Sequence, residues 1–253
     1  VRVAVTGATG RMGGEVLAAA AERDVDVAFA VSRNPNEVDF DGRVVNPDAL
    51  SDALAEGDVD ALVDFSVPDA AIRFVRAAAD AGVPVVTGTT GFSDDQEDEL
   101  RAAGDRIPVV RGANFSRGVQ ALLDVVGVAV SALPEYDAEL TETHHNGKRD
   151  APSGTAKRLL DAVDDARGEE ADRIHGRDGY APRQQGEIGV HARRAGDVTG
   201  EHELLLAGND EVLSLTHRAG DRGVFAAGAL DAARYVQDAR ADYYQFSDIA
   251  GNL

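Results

Sequence analysis

The sequence predicts an α/β fold: a doubly wound parallel sheet with a second, α+β domain built on a mixed sheet. Three observations lead there. Short apolar strands alternate with helical stretches through the first half, and a glycine-rich loop joins the first strand to the first helix. Past Gly118 the alternation breaks, and the later strands at 188–192, 203–207 and 211–217 follow one another with no strong helix between them.

Residues 1–6 read as a strand and 14–21 as a helix, followed by strands at 25–31 and 61–66. A helix at 70–81, a strand at 83–87, a helix at 94–103 and a strand at 107–110 continue the rhythm. Residues 118–132 form a long apolar helix, 136–143 alternate as a strand does, and 153–166 are helical. Strands are then predicted at 188–192, 203–207 and 211–217, and an amphipathic helix returns at 224–239. Segments 34–60 and 167–187 are polar and rich in Asp, Gly and Arg, and read as loops or weak elements.

A chain of 253 residues allows one large domain or two of ordinary size, and 43% apolar content is enough for a core. With no cysteine, neither a disulfide framework nor a thiolate metal site is possible. No apolar run of ~18 residues is present, and residue 1 opens into a strand without a signal-peptide layout, so a cytoplasmic protein is expected. The formal net charge of -20 would repel a polyanion, which argues against nucleic acid. Of 25 basic residues only Lys148 and Lys157 are lysine. Many acids and few lysines resemble proteins of salt-in halophiles; an acidic protein from a GC-rich genome is the alternative.

Gly7, Ala8, Thr9, Gly10, Arg11, Met12 and Gly13 fit G-x-x-G-x-x-G between a strand and a helix. Glycines there allow a tight turn and a close approach to a pyrophosphate, and the helix start offers N–H groups to it. A Rossmann-like nucleotide site follows, with NADPH or NADH as cofactor; the rival is a purely structural turn. At the end of the second strand stand Ser32 and Arg33. Serine does not repel a 2′-phosphate and a guanidinium pairs with one, although Arg33 is equally readable as a solvated loop charge.

The most specific stretch runs from Glu142 through Ala156: a strand end, a loop with His144, His145, Lys148 and Arg149, then Pro152 and a helix start at Ser153, Gly154 and Thr155. Cationic or protonatable groups beside a helix N-terminus suit a small anion. Metal ligation is the weaker reading, since neighbouring side chains on a strand point to opposite faces and no third ligand pattern follows. A plain surface loop with a helix cap explains Ser153, but not a lysine where arginine fills almost every basic position. An ammonium donates a proton readily and a guanidinium hardly does.

This stretch matches E-x-H-H-x-x-K-x-D-x-P-S-G-T-A, and on it the chain resembles the dihydrodipicolinate reductase family. Asp64-Phe65-Ser66, Gly88-Thr89-Thr90-Gly91, Ala113-Asn114-Phe115-Ser116, Arg194 through His202 and Thr216-His217-Arg218-Ala219 resemble family segments in order. The resemblance implies reduction of 4-hydroxy-tetrahydrodipicolinate or dihydrodipicolinate to tetrahydrodipicolinate by NAD(P)H, on the diaminopimelate route to lysine. It implies a small dicarboxylate as partner and a homotetramer; from charge, hydropathy and the spacing of the histidines, no nucleic acid, membrane or metal is expected. It also implies a split first domain: 1–117 with 222–253 for the dinucleotide, and 118–221 for substrate and oligomerisation. By motif position, Gly7 through Met12 bind the cofactor, and Gly88, Thr89, Thr90, Ala113, Asn114, Phe115 and Ser116 lie near nicotinamide and its ribose. His144 resembles the acid/base and Lys148 the proton donor, while His145, Ser153, Gly154 and Thr155 meet the substrate carboxylates. The chain departs from the family at Ser32, often acidic there, in a short 34–60 segment, and at Gly220-Asp221 in place of two serines. The rival classes are another dehydrogenase of this two-domain plan and a non-catalytic NAD(P)-binding regulator.

Overall fold

The computed structural model describes residues 1–253. In chain order the elements are β1 (Arg2–Thr6), α1 (Arg11–Glu22), β2 (Asp26–Val31), β3 (Val44–Val45), α2 (Leu50–Ala55), β4 (Ala61–Asp64) and α3 (Pro68–Ala81). Next come β5 (Val85–Thr87), α4 (Asp94–Gly104), β6 (Pro108–Arg111), α5 (Arg117–Ala132), β7 (Asp137–His144) and α6 (Gly154–Arg167). The chain finishes with β8 (Arg173–Ile174), β9 (Ile188–Arg194), β10 (Gly200–Gly208), β11 (Glu211–Ala219), α7 (Gly223–Tyr235), β12 (Asp242–Gln245) and α8 (Phe246–Ile249). Two compact units result: Val1–Arg117 with Arg222–Leu253, and Gly118–Asp221. No helix is long and apolar enough to cross a membrane.

The first unit holds a seven-stranded sheet of order β12-β6-β5-β4-β1-β2-β3, parallel at every pair. Its strands are apolar on both faces because both are covered. Alternation sends Val3, Val5, Ala61, Val63, Val86 and Val110 into a core shared with α1 and α7. Ala4, Leu62, Val85 and Val109 enter a second core on the other face, shared with α2, α3 and α4. Burying the Ile72, Phe74 and Val75 side chains of α3 there contributes about 1.5–3 kcal/mol each. The chain order reverses direction between β1 and β4, which is where open parallel sheets form a ligand crevice beyond their C-terminal strand ends.

The second unit holds a mixed five-stranded sheet of order β11-β10-β7-β9-β8. β10 runs antiparallel to β7 and β11, while β7, β9 and β8 are mutually parallel. One face is apolar: Ala138 and Leu140, Ile188 and Val190, Leu204 and Leu206 pack under α5 and α6. Along the same face the next residues are Glu142, His144, Arg194 and His202, so the face turns polar at one end.

Differences from the sequence reading fall at weak elements. The polar 34–60 segment contains the short helix α2, whose Leu50, Ala53 and Leu54 are buried, and the two-residue strand β3. The helix predicted to reach 239 stops at Tyr235. β12 was not predicted, because Asp-Tyr-Tyr-Gln lacks an apolar run; it adds to the sheet edge by pairing Tyr243 and Tyr244 with Val109 and Val110.

Candidate active site

In the first unit the glycine loop is built by contact. Gly7 has φ +71°, and a Cβ placed on it would lie 2.2 Å from the Phe65 carbonyl oxygen. A Cβ on Gly13 would lie 2.2 Å from the Gly7 carbonyl oxygen, so α1 begins directly against the loop. Gly10 N–H closes the turn on the Gly7 carbonyl at 2.8 Å. A cavity of about 430 Å³ opens here, lined by Gly7, Thr9, Gly10, Ser32, Arg33 and Arg73 among others. Glycine loop, helix start and two guanidiniums together fit a dinucleotide phosphate chain. Ala8 is buried, whereas Thr9 and Arg11 are exposed and Met12 is half-buried. Ser32 is 6% exposed, and its hydroxyl oxygen accepts from Asn34 N–H at 2.9 Å. Sequence reasoning missed Arg73, which stands on the exposed side of α3, outside any motif.

Asp64 ties three strand ends beside this loop. Its carboxylate is fully buried and accepts hydroxyl bonds from Thr6 (2.6 Å), Ser66 (2.6 Å), Thr87 (2.8 Å) and Thr89 (2.7 Å). Thr89 Oγ1 in turn accepts from Ser66 N–H at 3.0 Å. Thr89 therefore braces the loop, while Thr90 is exposed and Gly88 half-buried. At the end of β6, Ala113 is exposed and Asn114 half-buried, and the Asn114 side-chain oxygen accepts from Ser116 N–H at 2.8 Å. The Phe115 ring goes into the core, 5.9 Å from the Phe65 ring centroid and 4.7 Å from that of Phe246. Only its backbone is left to serve a ligand.

In the second unit the polar end of the sheet face gathers residues from three strands and a helix start. Register sets Glu142 opposite His202 across β7 and β10, and His144 opposite Arg194 across β7 and β9. Glu142 is 0% exposed and takes two bonds from the Arg194 guanidinium, at 2.8 and 2.9 Å. It lies 2.5 Å from His144 Nδ1 and accepts Ser153 N–H at 3.1 Å. Burial pushes the Glu142 carboxyl up, yet Arg194 and His144 outweigh it and hold the group below the ordinary carboxylate value. Burial lowers His144 despite Glu142 beside it. The His202 ring stands 5.1 Å from that of His144, and burial pushes His202 down to about 4.

Ser153, the N-cap of α6, is 2% exposed. Its Oγ accepts Ala156 N–H at 3.2 Å and lies 3.0 Å from His202 Nε2. Ser153 is thus occupied with holding the helix start, whereas Gly154 is exposed and Thr155 half-buried. Lys148 Nζ lies 2.8 Å from Asp150 Oδ1, and this bond holds the Asp150 carboxyl below its usual value. His145 is half-buried; its carbonyl accepts Lys148 N–H at 3.1 Å, so the loop turns between the two. The structure therefore gathers His144, Ser153 and the helix start with Glu142, Arg194 and His202, which the sequence reading had not assigned. The signal available for them was their place in the matched family segments.

Two family models cover nearly all of the chain. The one described as "Dihydrodipicolinate reductase, N-terminus" matches residues 1–115, and "Dihydrodipicolinate reductase, C-terminus" matches 118–250. The chain is 57% identical over 248 residues to a 4-hydroxy-tetrahydrodipicolinate reductase of Natronomonas pharaonis, covering 98% of this chain and 99% of that protein. It is 53% identical over 248 residues to the protein of the same name from Haloarcula marismortui, with 98% of each covered. Among solved structures, a dipicolinate-bound dihydrodipicolinate reductase from Paenisporosarcina sp. TG-14 superposes with a TM-score of 0.79 at 21% identity, covering 98% of this chain and 99% of that one. That likeness shows the shared fold.

Proposed function

The chain belongs to the dihydrodipicolinate reductase family, and from that premise we propose that it reduces 4-hydroxy-tetrahydrodipicolinate, or its dehydrated form, to tetrahydrodipicolinate with NADPH or NADH. This is a step of the diaminopimelate route to lysine. The observation that carries the reading is the loop of His145 and Lys148 leading into the α6 start, over a buried Glu142–Arg194–His144 cluster. It offers a small dicarboxylate both anion-binding groups and a proton donor.

The nucleotide, when bound, supplies a hydride. The residues of this chain do the rest. Gly7, Gly10 and the start of α1 cradle the phosphates, with Arg33 and Arg73 lining the same cavity. Gly154 and Thr155 offer backbone N–H groups at the helix start to a carboxylate, with His145 nearby in sequence. Lys148 holds the proton for the ring atom that gains electrons, and Asp150 at 2.8 Å fixes the ammonium in place. The unit Val1–Arg117 with Arg222–Leu253 acts as the dinucleotide domain and Gly118–Asp221 as the substrate and oligomerisation domain. A homotetramer in a salt-rich cytoplasm completes the proposal; the net charge of -20 supports the salt. The test is NADPH oxidation coupled to a synthase that makes the substrate, run at high salt. Turnover that depends on the synthase product supports the assignment; tight NADPH binding without oxidation overturns it in favour of a regulator.

A further inference from the structure

Glu142 has no part in the chemistry described so far, yet it is the most enclosed charged group of the second unit. Its side chain is 0% exposed, and it is met by groups from every element around it. Arg194 on β9 gives it two hydrogen bonds, Ser153 at the α6 start gives its N–H, and His144 on the same strand faces it with Nδ1 at 2.5 Å. An ionised carboxylate only accepts hydrogen bonds. The nitrogen of His144 facing it must therefore carry a proton.

We infer that Glu142 is a positioning residue that fixes His144 as its neutral Nδ1–H tautomer, leaving Nε2 as a lone-pair acceptor and proton donation to Lys148. The inference rests on the reductase reading above only for the role of Lys148. Three features support it. Arg194 already shares the Glu142 charge through a paired contact, so the carboxylate exerts less pull for a second proton on the ring. Burial of the ring opposes that proton, as do the charges of Lys148 from the loop and of Arg194. Finally, β10 passes His144 with a glycine. A Cβ on Gly200 would stand 3.1 Å from His144 Nε2, so the absence of a side chain preserves room at the acceptor nitrogen. Metal-ligating histidines depend on a similar partner, where the hydrogen bond at one ring nitrogen decides what the other can do.

The test is ¹⁵N NMR of the whole protein labelled at histidine, at high salt and pH 7, with the His144 signals identified by their loss in His144→Asn. The expected wild-type spectrum shows neutral His144 protonated at Nδ1. In Glu142→Gln, whose amide both donates and accepts, the ring should become a mixture of tautomers. Its kcat should fall by at least about tenfold, while the Kd for NADPH changes less than about twofold. Wild-type His144 protonated at Nε2, or at both nitrogens, overturns the inference, as does a Glu142→Gln enzyme that keeps the Nδ1–H form and full kcat. If Glu142→Gln does not fold, the wild-type spectrum decides alone. Because the tautomer is read without substrate, failure of the reductase assay would overturn the reaction and leave this result standing.

Discussion

Gly7 and Phe65 touch backbone to backbone: a methyl group on Gly7 would stand 2.2 Å from the Phe65 carbonyl oxygen. The turn of the first βα unit and the end of β4 are thus one construction. Gly7→Ala should be strained by both the positive φ and the contact. It should lose about 1–3 kcal/mol of stability and bind NADPH at least about tenfold more weakly, as read by nucleotide fluorescence titration. Gly14→Ala is the contrast. Nothing lies within 4 Å of a Cβ there, and the helix should gain about 0.4–1 kcal/mol. A Gly7→Ala protein with unchanged binding would remove the loop from the nucleotide site.

Under the proposal, cofactor choice should depend on Arg33 and Arg73, which line the same cavity as Ser32. Arg33→Ala should raise the KM for NADPH by about tenfold or more, the equivalent of one charge-assisted contact, and leave that for NADH nearly unchanged. Arg73→Ala should move in the same direction, because Arg73 lines the same cavity. Equal losses for both cofactors would show that neither arginine reads the 2′-phosphate.

Substituting Lys148 separates charge from proton. Lys148→Arg and Lys148→Ala should both lose at least about a hundredfold in kcat, with smaller changes in the KM for NADPH. Lys157, exposed on α6, serves as control, and Lys157→Arg should be silent. An active Lys148→Arg enzyme would reduce Lys148 to a carboxylate contact.

Acid should destabilise the fold earlier than carboxylate titration alone would. His202 is lowered from 6.5 to about 4 in the folded protein. Above pH ~6.5 it is neutral folded or unfolded and has no effect. Between ~6.5 and ~4 only the unfolded chain takes the proton, so stability falls as pH falls, by up to about 3 kcal/mol. His144, also lowered by burial, acts in the same sense. Thermal unfolding at pH 7 and pH 4.5 should show the drop, and His202→Asn should narrow it. A variant with the full wild-type drop would assign the acid sensitivity elsewhere.

Salt should stabilise the protein. With a net charge of -20 the compact state repels itself, and at 1 M salt the Debye length is only ~3 Å. The melting temperature and the kcat should both rise toward molar KCl. Full activity with an unchanged melting temperature in dilute buffer would sink this expectation.

The elements of the first unit were legible because their information is local. Alternating valines define strands buried on both faces, and the glycine loop sits within seven residues of one βα turn. The loop from His144 to Ser153, which the proposal makes catalytic, stood out for the same reason, being one contiguous stretch. What was not legible depends on pairing at a distance. Arg194 reaches Glu142 across 52 residues because β9 lies parallel to β7, and no periodicity in either strand records that register. The same holds for His202, brought to Glu142 by the antiparallel β10. β12 escaped because an edge strand needs no apolar run; its tyrosines are only half-buried.

The last residues of the chain belong to the first unit. α7 supplies Ala226, Ala229, Leu230, Ala232 and Ala233 to the core beneath β1 and β4, and β12 closes the sheet edge at β6. On the ribosome, then, order of synthesis and order of completion are inverted. The Gly118–Asp221 unit has its whole sequence available while the nucleotide sheet still lacks a strand and one covering helix. Until α7 emerges, that sheet presents one apolar face covered only by α1 to whatever else is in the cell. A nascent chain stalled before Arg222 would leave that part of the core exposed.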